Sequence, residues 1–146
     1  NKFNVDIAGS NVLDLYSGIG SFGIECISRG ANGITFVERD GHAVETLHKN
    51  LQKLSIQDKC KIIRDEIVNF LDTKTNEKFN IIFLDPPFME NDYVEELQLI
   101  KKTKIFKNNH IVIIHREKKT SDDFTNTIKP LVIKEYGRSK IIFGKF

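Results

Sequence analysis

Four acids stand at or next to the ends of short apolar runs: Asp14, Glu38, Asp65 and Asp85. Asp14 lies four residues before Gly18, and Gly18, Gly20 and Gly23 complete the pattern G-x-G-x-x-G directly after a strand-like run. Glycines in such a loop let the backbone approach a ligand where a Cβ would collide with it. Glu38, 20 residues beyond Gly18, stands where a ribose-binding acid is expected. Two ligands compete for this unit. A nicotinamide dinucleotide fits the glycines and would make the chain an NAD-dependent oxidoreductase. Asp14 argues against it, because an acid aimed at the loop repels a pyrophosphate and attracts a cation. S-adenosylmethionine carries a sulfonium and an α-amino group and no phosphate, so charge favours that cofactor.

Asp85-Pro86-Pro87-Phe88 is the second group of chemical interest. Two prolines stiffen the backbone and remove two N–H donors. The carbonyl of Pro86 and its neighbours is left to face a ligand, beside the acceptor oxygens of Asp85. Such a set can hold an exocyclic amine by its two N–H bonds, and Phe88 can stack on the base that carries it. A rigid turn after a buried strand would explain the prolines alone, but not the acid and the aromatic around them.

The elements that must position these residues follow from periodicity. Strands are expected at about 11–16, 34–37, 61–63, 80–84 and 110–114, the last two nearly continuous in apolar residues, as in strands covered on both faces. Helices are expected at about 21–29, 41–54, 66–72 and 92–103. Gly30 is set to end the first, and Asp40 to cap the second, whose core face is Ala43, Val44, Leu47, Leu51 and Leu54. Asp122 is expected to cap a further short helix that ends near Pro130. Runs at 131–136 and 140–143 flank Gly137-Arg138-Ser139 and read as a hairpin. This alternation predicts an α/β fold: a Rossmann-like, seven-stranded, mostly parallel sheet with a C-terminal antiparallel hairpin and helices on both faces. Ligands of such sheets lie beyond the carboxyl ends of the strands, where all four acids fall.

A chain of 146 residues suits one domain, here 1–146, with a sizeable core. Its opening residues read as the middle of a protein. No apolar run approaches the length of a membrane helix. Cys26 and Cys60 match neither a zinc spacing nor a disulfide framework, so no metal is expected and a reducing cytoplasm is. Net charge is +2, yet residues 1–100 carry −6 and residues 101–146 carry +8. The basic C-terminal part suits a polyanion such as RNA, or is simply a solvated lysine-rich surface.

With these residues in hand, the chain resembles class I S-adenosylmethionine-dependent methyltransferases that act on amino groups. More narrowly, Val12-Leu-Asp-Leu-Tyr-Ser-Gly-Ile-Gly20, Gly23-Ile-Glu-Cys-Ile-Ser-Arg-Gly-Ala31 and the Asp-Pro-Pro-Phe tetrapeptide are similar to the RsmD family. The resemblance implies methylation of the N2 amine of a guanine in small-subunit (16S-type) ribosomal RNA, with S-adenosylhomocysteine as product. It makes Asp14, Ser17, Gly18 and Gly20 contacts of the methionine end, with Tyr16 beside them. Glu38 becomes the ribose ligand, Asp65 an adenine contact with Arg39 and Glu66 alongside, and Asp85, Pro86, Pro87 and Phe88 the catalytic motif. Partners implied are ribosomal RNA or the small-subunit particle, with no membrane and a monomeric enzyme. Three departures stand out: Ile19 sits between Gly18 and Gly20, His115 and Arg116 end the fifth strand where an acid is more common, and the family's N-terminal segment is absent. Rival readings are a DNA adenine or protein amino-methyltransferase, which an Asn in place of Asp85 would favour, and a non-catalytic RNA-binding module.

Overall fold

The computed structural model describes residues 5–87 and 93–146. The strands are β1 (Asn11–Leu15), β2 (Gly33–Val37), β3 (Cys60–Ile63), β4 (Phe79–Leu84), β5 (Phe106–Glu117), β6 (Lys129–Tyr136) and β7 (Ser139–Lys145). The helices are α1 (Ser21–Ser28), α2 (Gly41–Lys53), α3 (Ile67–Asp72) and α4 (Tyr93–Thr103). All seven strands form one sheet in the order β3-β2-β1-β4-β5-β7-β6. Helical crossovers carry the chain between the first five strands, which pair in parallel, whereas β7 pairs antiparallel with both β5 and β6. The strand order reverses at β1, which lies between β2 and β4, so its end faces the crevice where ligands of open α/β sheets bind.

Alternation along the strands divides the core into two layers. On one face Val12, Ile34, Phe36, Ile81 and Ile113 pack against Cys26 of α1 and Leu47 and Leu51 of α2. On the other, Leu13, Leu15, Ile82, Leu84 and Ile114 pack against Ile67 and Leu71 of α3 and Tyr93, Leu97 and Ile100 of α4. Helices therefore cover both faces, as the alternation requires. Asp40 caps α2 by accepting from the Ala43 N–H at 2.9 Å. Gly30 follows the C-cap of α1 with φ +93°, the left-handed turn expected of it. Cys26 is buried and Cys60 half-buried, both as free thiols.

Several expectations are corrected. β5 runs for 12 residues rather than five, so His115 and Arg116 lie within it. No helix follows Asp122; that stretch is turn and loop, because the Asp122 side chain faces the interior (below) instead of capping. Leu54 is 52% exposed, since α2 ends at Lys53 and Leu54 leaves its core stripe. The β6–β7 pair closes through two residues, Gly137 and Arg138, because Ser139 already pairs with Tyr136. Phe88 lies outside the described residues.

Candidate active site

Register alone brings the acids together. Leu15 lies level with Val37 of β2 and Leu84 of β4, so the residues that follow these strands share one rim. Asp14 is level with Phe83, two residues before Asp85. The turn at Ser17–Gly20 is held over that rim by the Ser17 N–H donating to the Val37 carbonyl at 3.2 Å. Asp85 and the Gly18 loop thus stand on the same edge.

Asp14 points to the α1 face and is 1% exposed. Its Oδ2 accepts the Gly23 N–H at 3.2 Å, while Oδ1, like Ser17 Oγ, has no hydrogen-bond partner among the described residues. Burial, reinforced by the negative charges of Asp85 and Glu38, pushes its pKa up to about 8. The consequence for stability has a definite sign. The unfolded chain releases this proton near pH 4 and the folded one near 8, so stability is greatest below 4 and falls as pH rises through that window. Between them the slope from this group approaches about 1.4 kcal/mol per pH unit. Urea denaturation from pH 5 to 8 is expected to show a shallower decline for Asp14→Asn than for the wild type; parallel curves would mean that Asp14 ionises freely.

Glu38 closes the loop from the side. Its Oε1 accepts the Gly18 N–H at 2.8 Å and its Oε2 the Asp40 N–H at 2.9 Å. Asp65 Oδ1 accepts from the Glu66 N–H at 2.7 Å and from Asn69 at 3.0 Å. Glu66 meets Arg39 at 3.4 Å in a solvent-exposed pair. These residues line a cleft of about 280 Å³ with Tyr16, Glu95 and Glu96. A cleft of about 340 Å³ at the opposite rim, bounded by Asp6, Asn80, His110 and Lys145, gathers no such set of acids.

The glycines of the loop differ in what surrounds them. A Cβ on Gly20 would strike Leu47, and one on Gly23 would strike the Phe36 ring, so these two let α1 pack closely on α2 and β2. At Gly18, φ is +57° and a Cβ would meet nothing within 4 Å, so of these three glycines only Gly18 faces open space.

On the other side of the rim, adjacent residues of β5 hold the Asp85-Pro86-Pro87 turn from opposite faces of the sheet. His115 Nδ1 lies 2.8 Å from Asp85 Oδ1. Arg116, 1% exposed, donates to the Pro87 carbonyl at 3.3 Å and lies over the Tyr93 ring. The carbonyl of Pro87 is therefore engaged, as is Oδ1 of Asp85. Arg116 is itself held by Asp122 at 2.9 Å, which also accepts from Thr120 at 2.8 Å, Lys140 at 3.1 Å and the Tyr93 hydroxyl.

Sequence reasoning missed three of these residues as parts of the site. Glu96 accepts the Tyr16 hydroxyl on both oxygens, at 2.6 and 2.7 Å, and is 6% exposed. Its signal was an acid inside the buried stripe Tyr93, Leu97, Ile100 of α4. His115 and Arg116 were visible as two ionisable residues closing an otherwise apolar strand. In Tyr16, φ of +60° is a left-handed value for a residue with a Cβ, and marks the sharp exit from β1.

The strand order and the acid-lined rim define a Rossmann-like fold of the class I methyltransferase kind. A family model described as "Conserved hypothetical protein 95" matches residues 1–145, and the chain belongs to that family, the RsmD family. The chain is 34% identical to ribosomal RNA small subunit methyltransferase D of Buchnera aphidicola subsp. Baizongia pistaciae over 143 residues, 98% of this chain and 72% of that protein. It is 36% identical to the protein of the same name from Buchnera aphidicola subsp. Acyrthosiphon pisum over 115 residues, 79% of this chain but only 60% of that relative's length. Among solved structures, a provisionally named methylase of Haemophilus influenzae superposes with a TM-score of 0.84 at 30% identity, covering 95% of this chain and 88% of that one. No helix among the described residues is long and apolar enough to cross a membrane.

Proposed function

We propose that the chain is the methyl-transfer domain of a ribosomal RNA methyltransferase, moving a methyl group from S-adenosylmethionine to the exocyclic N2 amine of a guanine in small-subunit RNA. The observation that carries this reading is the convergence of acids on one rim, with a buried Asp14 oxygen that has no partner among the described residues, beside the Asp85-Pro86-Pro87 turn. Such a rim suits a cationic ligand and repels a pyrophosphate, which disfavours the nicotinamide alternative. The open face at Gly18 and the Ser17 hydroxyl, which has no partner among the described residues, fit the methionine end, with Asp14 and Gly20 behind them and Tyr16 beside them. Glu38 retains lone pairs for ribose hydroxyls, and Asp65, Glu66 and Arg39 border the place for adenine.

When bound, S-adenosylmethionine supplies an electrophilic methyl group whose C–S bond breaks with its electron pair left on sulfur. The chain's own task is to prepare the amine. A guanine N2 lone pair is delocalised into the ring and is a poor nucleophile. Asp85 and the Pro86 carbonyl accept its two N–H bonds, localise the lone pair and aim it; Asp85 then holds the proton that nitrogen loses. Phe88, by its place in the sequence, stacks on the base. Alignment of this kind supplies roughly 7–11 kcal/mol of barrier reduction. The target base must be unpaired or flipped to enter.

The basic C-terminal part supports an RNA partner, with a qualification from the structure: Arg116 and Lys140 neutralise the buried Asp122 and are not part of a surface footprint. Lys129 and Arg138 are exposed there, and the exposed Lys118 and Lys119 can exchange their surface pairings with Glu135 and Glu117 for phosphates. The edge strand β6 carries Lys129, Pro130 and Lys134, devices that deter strand addition by another copy, although Leu131, Ile133 and Tyr136 are exposed on it. The test is to incubate the protein with small-subunit particles and methyl-labelled cofactor and to map the labelled base. Label in N2-methylguanine is expected; label in adenine or in protein would overturn the substrate assignment.

A further inference from the structure

His115 is the partner of Asp85 in this fold, and its placement follows from register. Leu84 of β4 lies level with Ile114 of β5, so the next residue of each strand meets the other at the rim. His115 is fixed from its far side by pairing with Ile141 of β7. The two side chains are 26% and 44% exposed, at the wall of the rim rather than in the core. At such exposure the pair adds little to folding stability, which directs attention to what it does for Asp85. The contact is made through Asp85 Oδ1 at 2.8 Å. A carboxylate has a second oxygen, and with Oδ1 engaged the torsion of the group is set and Oδ2 is directed elsewhere.

We propose that His115 is the positioning residue for Asp85: its Nδ1–H donates to Oδ1, fixes the carboxylate plane and leaves Oδ2 as the acceptor of the substrate amine N–H. This rests on the amino-methyltransferase reading of Asp85 above. In the step concerned, the amine nitrogen uses its lone pair to form the new N–C bond as the methyl C–S bond breaks with its pair left on sulfur, and the nitrogen gives up one proton to Oδ2. His115 neither gains nor loses a proton; its hydrogen bond keeps the receiving oxygen in line. Arg116, on the opposite face, performs the matching service for the backbone by holding the Pro87 carbonyl. Two neighbouring residues of one strand thus fix both the side chain and the main chain of the reacting turn.

The test compares wild type, His115→Ala and His115→Asn on small-subunit particles, because Asn can place an amide N–H near the position of Nδ1. His115→Ala is expected to lower kcat by roughly 10- to 100-fold with KM for S-adenosylmethionine unchanged, and His115→Asn to recover most of the loss. Wild-type kcat in the Ala variant, or an Asn variant no better than Ala, overturns the proposal. Should the wild type itself transfer no methyl group to particles, the substrate reading has failed instead. The pairing is then read from the ring nitrogen-15 shifts of His115 at alkaline pH. A protonated Nδ1 whose shift moves in Asp85→Ala supports the proposal, and a bare Nδ1 overturns it.

Discussion

Asp85→Ala is expected to lower turnover by roughly 10²- to 10⁴-fold, the range for losing a positioned proton acceptor, while S-adenosylmethionine still binds. Two features separate the effects. The Asp85 side chain is 44% exposed, so its removal leaves no buried cavity and the fold should survive. It also removes one of the negative charges that oppose ionisation of Asp14, so Asp14 ionises more readily in the variant and the cofactor end of the rim keeps its acidic character. Calorimetric titration with S-adenosylhomocysteine and a turnover assay at saturating cofactor divide the question cleanly. Lost binding with turnover intact would remove Asp85 from the reaction and place it in cofactor recognition.

Asp122→Ala is expected to destabilise the fold by about 3–5 kcal/mol, the cost of breaking a buried ion pair from one side. The Asp122 side chain is 2% exposed and gathers donors from Arg116, Lys140, Thr120 and Tyr93 on its two oxygens. Burial alone would raise its pKa, but those hydrogen bonds outweigh it and hold the carboxyl below its ordinary value. Its contribution is therefore present above about pH 4 and lost as pH falls through the depressed value. Without Asp122, two cations are left in the interior: Arg116 at 1% exposed and Lys140 at 13%. Adding Arg116→Met and Lys140→Met to Asp122→Ala should recover much of the loss, since apolar replacement of a whole buried ionic group is often neutral. Urea denaturation of the single and triple variants checks both statements, and a single variant within 1 kcal/mol of wild type would deny the network its structural role.

Much of the fold, and the rim that gathers the candidate site, is legible in the sequence. The alternation of apolar runs and helical stripes foretells the parallel sheet, and an acid at the end of each early strand foretells the rim, because parallel strands deliver their carboxyl ends to one side. What escaped is what depends on distance across the fold. Asp122 looks like a helix cap beside its neighbours, but Arg116 and Lys140, brought close by β5 and β7, draw it inward. Gly20 and Gly23 also have a packing role, since the atoms a Cβ would meet belong to Leu47 and Phe36, which no local pattern can place. The reach of β5 back to Phe106 is set by its pairing with Phe79, across a break in register that the apolar run at 110–114 does not signal.

The position of β1 in the middle of the sheet has a consequence for synthesis. Residues up to 63 supply β1, β2 and β3, which lie on one side of the first strand. Its other edge stays bare until β4 emerges from the ribosome, some 64 residues after β1 ends at Leu15 and Phe79 arrives. The half of the rim proposed to hold the methyl donor is thus translated first, and the half proposed to hold the acceptor is completed only when the last hairpin locks β5 in place. A stalled or truncated product would keep the loop and Glu38 while exposing an unpaired edge of Val12–Leu15, which marks it for chaperones and proteases rather than for RNA.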